Sequence, residues 1–157
     1  PTVTYTEGAT VGYKWFDKND LTPAFAFGHG LSYTSFGFGD LKAAPANGTI
    51  SATFTVTNTG KRQGMAVPQV YVGPVAGGWE APKRLGGWEK IDLAPGASKT
   101  VSVTVDPRLL AMYDGNSNSW KIAAGDYKVM LAHSARDIDQ TVVAHVDART
   151  LPAGWHP

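Results

Sequence analysis

The chain is 157 residues long, is 43% hydrophobic, and carries a net charge of +1 from 14 basic and 13 acidic residues. That length favours one domain with a real core, and the near-neutral balance gives no electrostatic reason to bind nucleic acid or an anionic membrane. The absence of cysteine excludes disulfides and thiolate sites, and no apolar run approaches the ~18 residues of a membrane-spanning helix.

Eighteen Gly and ten Pro, among many Thr and Val, favour turns and short strands over helices. Residues 2–5 alternate weakly and predict a short strand. Glu7-Gly8 marks a turn. Residues 11–16 (VGYKWF) predict a second short strand, ended by the polar residues 17–20. Both are too short to make a sheet alone and are expected to complete one elsewhere.

Residues 15–36 (WFDKNDLTPAFAFGHGLSYTSF) hold six aromatics: Trp15, Phe16, Phe25, Phe27, Tyr33 and Phe36. Asn19-Asp20 and Gly28-His29-Gly30 break the stretch into pieces. It keeps no helical period and alternates cleanly nowhere. Each ring carries on the order of 150–250 Å² of surface, too much to rest bare in water. The rest of the chain reads as regular and self-contained. This strap is therefore expected to dock onto another domain through Tyr13, Trp15, Phe16, Pro23, Phe25, Phe27, His29, Leu31 and Tyr33.

From about Tyr33 the pattern changes. Thr49–Asn58 (TISATFTVTN) alternates over its whole length, the mark of a half-buried antiparallel strand, and Asn47-Gly48 before it signals a tight turn. Residues 67–72 predict the next strand, with Pro68 at an edge or bulge. A Gly/Pro-rich loop over residues 73–87 carries Trp79, and residues 88–93 predict a strand closed by Ala94-Pro95-Gly96. Strands are predicted over residues 98–105, 120–122, 127–133 and 141–146, with a helical turn over 107–112. Residues 151–157 read as a loosely held tail. About seven strands with turns between them and no long helix imply an all-β, immunoglobulin or fibronectin type III-like antiparallel sandwich. Tyr127, opening a late strand after a turn, stands where such folds place a tyrosine corner.

Chemistry is sparse. A glycosidase needs two carboxyls across a cleft. Asp17, Asp20, Asp106, Asp114, Asp126 and Asp137 instead read as solvated or turn-capping, and the pairs Lys61-Arg62 and Lys83-Arg84 as solvated loop charges. Glu80 and Glu89 flank the long loop. His29, His133, His145 and His156 lack metal-ligand spacing. His29, between two glycines, is either an interdomain or substrate hydrogen-bond donor or a packed loop residue. There is no nucleophile elbow, dinucleotide fingerprint or phosphate loop, so no catalytic residue, metal ligand or cofactor is expected. Trp79 and Trp88 are candidate carbohydrate contacts, since exposed tryptophan on a sandwich loop can stack on sugar rings.

Several motifs occur together. The run EGATVGYKWFD over residues 7–17 resembles the end of the α/β-sandwich domain of glycoside hydrolase family 3. LTPAFAFGHGLSYT over 21–34 resembles that family's linker, and VTNTG over 56–60 resembles its first sandwich strands. QVYV over 69–72, PKRLGGWEK over 82–90, LAPG over 93–96 and GDY over 125–127 follow in the family's order. The resemblance covers nearly the whole chain. It implies that residues 1–34 are the end of the preceding domain plus an interdomain linker, that 35–150 form a fibronectin type III-like sandwich, and that 151–157 are a tail.

By this resemblance the parent is a retaining β-glucosidase-type enzyme whose Asp nucleophile and Glu acid/base lie on other domains. The chain itself is expected to be inactive, with those catalytic domains as its partners. Lys14 stands where the family more often has Arg, Ala26 replaces the usual Pro, and Gly86-Gly87 is expected to be flexible. The chain opens at Pro1 without a signal peptide, and reads as a fragment or processed product of a secreted or periplasmic enzyme. Two other readings are a carbohydrate-binding module for β-glucan or an oligosaccharide, and a self-standing immunoglobulin-like adhesion domain. The second requires residues 15–36 to fold onto the sandwich.

Overall fold

The computed structural model describes residues 2–4 and 6–155. Strands β1 (Phe36–Ala46) and β2 (Thr49–Asn58) form an antiparallel hairpin. Asn47 and Gly48 turn it with φ of 50° and 77°, the doubly positive geometry that matches strand twist. In β2, Ile50, Ala52, Phe54 and Val56 are all buried while the Thr and Ser between them are half-exposed, as the alternation predicts. β1 is an edge strand, which lets Pro45 sit in it without breaking a central ladder.

The remaining strands are β3 (Gly64–Ala66), β4 (Gln69–Pro74), β5 (Arg84–Trp88), β6 (Ile91–Leu93), β7 (Ser98–Thr104), β8 (Met112–Asp114), β9 (Ser119–Ile122), β10 (Gly125–Ser134), β11 (Asp137–Val146) and β12 (Arg149–Pro152). Two sheets make the sandwich, β1-β2-β7 and β11-β10-β4-β5, seven strands in all. The short three-stranded sheet β12-β9-β8 and the pair β3-β6 are accessory. Between the main sheets lie Ile50, Phe54, Val56, Val70, Val72, Val101, Val103, Val105, Val129 and Leu131. The Tyr127 hydroxyl donates to the carbonyl of Ala123, 2.8 Å away and four residues upstream, the tyrosine-corner bond.

Several local expectations are corrected. Residues 2–4 form no strand, and Tyr5 lies outside the described residues. Residues 11–16 do not form a strand: Tyr13–Lys18 is a helix, α1. Pro68 falls between β3 and β4 rather than within one strand, and residues 88–93 divide into the end of β5 and β6. The long loop shrinks to residues 75–83. Pro107–Leu110 is a 3-10 turn whose N-cap Asp106 accepts from the Arg108 N–H at 2.9 Å. The tail begins as β12, with Leu151 fully buried and Trp155 packed against the core.

Gly86 and Gly87 are not a flexible hinge. Both lie within β5. A Cβ on Gly87 would stand 2.5 Å from Val103 Cγ1, and one on Gly86 3.1 Å from Val105 Cγ2. The two glycines let β5 approach the facing sheet more closely than any side chain allows.

Candidate docking face

The four-stranded sheet is apolar on both sides. Its inner side faces the core. On its outer side Tyr71 of β4 and Met130 and Ala132 of β10, with Ala135 just beyond, form a second cluster, against which Tyr13 and Leu85 pack. An outer face of a sandwich is ordinarily polar, so this one demands a cover. The strap supplies it.

Helix α1 is six residues long, follows Gly12 at its N-cap position and has no side-chain cap. Such a helix cannot stand alone in water, where nucleation is costly. Contacts to the sheet hold it. The Tyr13 ring stacks on Phe27 at 4.8 Å and meets Tyr71 edge-on at 6.0 Å, and its hydroxyl accepts from the Leu85 N–H at 2.8 Å. Burial raises both phenols above their ordinary pKa, so they stay neutral.

Further along, the backbone of Ala135 donates to Phe27 O at 2.8 Å. The buried Gln69 amide donates to Gly28 O and His133 O, each at 2.9 Å, and accepts from the Tyr71 hydroxyl at 2.7 Å. Gly28 has φ +80°, and a Cβ there would overlap the Gln69 amide. Only glycine satisfies both conditions. Thr34 then donates to Asn58 Oδ1 at 2.8 Å, and Asn58 is wholly buried with every polar atom engaged.

Charge fixes the helix from two sides. Lys83 Nζ lies 2.5 Å from Asp17 Oδ2, and Arg136 reaches both Asp17 and Asp20 at 3.5 and 3.2 Å. Arg84 grips Glu80 bidentately at 2.9 and 2.6 Å, and Lys14 adds a third bond at 2.8 Å. The remaining guanidinium nitrogen of Arg84, Nη1, donates to Leu109 O and Ala111 O. Burial alone would raise the Glu80 carboxyl, but the bonds from Arg84 and Lys14 outweigh it and hold the pKa at about 2. Lys83 and Arg84 are thus buried ion-pair partners and not solvated loop charges, and Asp17 is not a solvated turn acid. Lys14 makes its ion pair with Glu80 through its single nitrogen.

The other side of the strap is bare. Phe25 is 79% exposed, Leu31 94% and Tyr33 92%, with Trp15 at 46% and Phe27 at 47%. Phe16 and Pro23 are half-buried beside Tyr13. The exposed His29 ring lies 5.8 Å from Phe25, while its backbone N–H donates to Ala26 O. The strap is thus two-sided, with one side spent on its own sandwich and one apolar side open. Sequence reading missed the inner side. The consecutive apolar pairs across β4 and β10 were its only signal.

Trp79 and Trp88 are not a matched pair. Trp79 is half-buried, its face covered by the Arg84 guanidinium at 4.0 Å and its ring 5.9 Å from Tyr127. Trp88 is 58% exposed at the end of β5. Among the described residues no group of three or more His, Asp or Glu is placed to hold a metal ion.

Residues 66–135 match the family of fibronectin type III-like domains. The chain is 39% identical to thermostable β-glucosidase B of Acetivibrio thermocellus over 141 residues, covering 87% of this chain and 19% of that protein. β-Glucosidase B of Emericella nidulans is 38% identical over 94% of the chain and 18% of its own length. Among solved structures, β-glucosidase 3B of Thermotoga neapolitana superposes with a TM-score of 0.85 at 34% identity, again over 94% of this chain and 21% of that one. DesR, a β-glucosidase of Streptomyces venezuelae, superposes with a TM-score of 0.84 at 40% identity, covering 89% of this chain and 18% of that one.

Residues 66–135 belong to the fibronectin type III-like domains, and the chain as a whole is homologous to one part of the β-glucosidases. It spans about a fifth of the length of the relatives it matches. Matches over 94% of the chain extend well outside residues 66–135, so they take in strap as well as sandwich. The fibronectin type III-like domain is therefore shared together with its cover.

Proposed function

We propose that this domain is the non-catalytic accessory unit of a retaining β-glucosidase-type enzyme. It seats the open side of its strap on the catalytic domains and stabilises them. The carrying observation is the strap's two-sidedness: Tyr13 and Asp17 are tied down to the sandwich while Phe25, Leu31 and Tyr33 stand bare. Bare rings in this density are stable in water only when covered, and within-chain interfaces of roughly 600–1,500 Å² are usual between domains. Ties at Phe27, Gly28 and Thr34 hold both ends of the segment that carries Leu31 and Tyr33, which lowers the ordering cost of docking.

The purified 157-residue chain is expected to show no hydrolysis of aryl β-glucosides. Turnover by the chain alone would overturn this reading. The adhesion-domain alternative draws on the strap's packing against its own sandwich, but it gives no role to the exposed side. Limited proteolysis weighs the two. The docking reading expects cuts around residues 29–33 in the isolated domain and protection of those sites in the parent enzyme.

A further inference from the structure

Trp88 pairs with Gln69 across the β4-β5 ladder. Residues directly opposite in such a ladder share a face of the sheet. Gln69 lies on the outer face, since its amide holds Gly28 of the strap and receives the Tyr71 hydroxyl. Leu85, in register with Tyr71, lies on that face too and is half-buried in the cluster under α1. Trp88 therefore projects from the strap-bearing face, one strand away from the residue that pins Gly28, and it is 58% exposed.

We infer that Trp88 is the sandwich's own anchor for the catalytic domains of the same polypeptide, so that the docking face continues from the strap onto the end of β5. This rests on the docking reading above. The occupant is the part of the parent polypeptide outside this chain, and the matched relatives are about five times as long as the chain. The large flat area of a tryptophan on a rigid strand is the usual anchor of an interface. A sugar is the competing occupant. A sugar platform needs free polar groups beside the ring to orient hydroxyls. The face neighbour of Trp88 has none to give: the Gln69 amide nitrogen already serves two carbonyls and its oxygen accepts from Tyr71. Gly87 faces inward at Val103, while the charged Glu89 and Lys90 that follow Trp88 are exposed, so glucan titration decides between the two occupants.

The test compares Trp88→Ala in the full-length enzyme and in the isolated 157-residue chain, by thermal unfolding and by calorimetric titration with a soluble β-glucan. The expected result is a fall of several degrees in the transition temperature of the full-length enzyme. The isolated chain should fall by clearly less, because more than half of the Trp88 surface is already bare in it. Trp88→Phe should recover much of the loss, and glucan titrations should be unchanged by either substitution. An equal fall in the isolated chain, or loss of glucan binding without a thermal shift, would overturn the inference. Phe25→Asp/Tyr33→Asp separates it from the reading it rests on. If that double variant destabilises the full-length enzyme and Trp88→Ala does not, the strap docks without Trp88. If neither does, both readings fall.

Discussion

Asp17 and Lys83 meet at 2.5 Å with side chains only 3% and 10% exposed. They join the helix of the strap to the rim of a sheet 66 residues further along the chain. A buried pair gives little net stability when formed, but removing one partner strands the other charge, at a cost of roughly 3–5 kcal/mol. Arg136 also touches Asp17, which softens the loss of Lys83. Lys83→Ala should therefore cost about 2–4 kcal/mol in urea unfolding of the isolated domain. Asp17→Asn/Lys83→Met should cost less than Lys83→Ala alone, because no lone charge stays buried.

Glu80 makes stability depend on acid. Its folded pKa of about 2 lies below the ordinary 4.5. A depressed carboxylate contributes stability that is complete above its unfolded pKa and disappears as pH falls through the folded one. The window is therefore pH 4.5 down to about 2. Full linkage over such a shift amounts to about 3 kcal/mol, which solvent screening at a partly exposed site reduces to roughly 1–2 kcal/mol. Urea midpoints measured between neutral pH and pH 2.5 should show this loss, and Glu80→Gln should flatten that part of the curve.

Gly28 and Gly30 look alike in the sequence and differ in the structure. Gly28 has positive φ and abuts Gln69, whereas a Cβ on Gly30 meets nothing within 4 Å. Gly28→Ala should cost roughly 2 kcal/mol or more from backbone strain and overlap. Gly30→Ala should fall within about 0.5 kcal/mol of wild type. The same contrast should appear as faster proteolysis of the strap in the first variant only.

Gly87 should behave as a packing position. Gly87→Ala drives a methyl into Val103 and should cost about 1–3 kcal/mol. Val103→Ala in the same chain should return part of that loss, a coupling readable in a double-mutant cycle.

These positions mark how far the sequence could be read. The sandwich was legible because its strands are long and half-buried. Thr49–Asn58 alternates without a break, Asn47-Gly48 turns as written, and Tyr127 makes its corner bond. β1 was not legible, since Gly37, Gly39 and Pro45 interrupt its pattern and a bulge at Asp40 shifts its register. Helix α1 carries no cap and too few residues for a period, so its form is imposed by Tyr71, Leu85 and Lys83. Lys83-Arg84 looks like any surface dibasic pair until the fold brings Asp17 and Glu80 to it. The strap's aromatic excess was visible at once. That half of it is spent on the strap's own sandwich depends on long-range pairing, which no local pattern encodes.

The central claim is that one side of the strap is closed by its own domain and the other by the catalytic domains. Hydroxyl-radical footprinting reads both sides at once. In the isolated chain, Phe25, Leu31 and Tyr33 should label heavily and Tyr71 and Tyr13 weakly. In the full-length enzyme, all five should be protected. Equal labelling of Phe25, Leu31 and Tyr33 in the two forms would contradict the account.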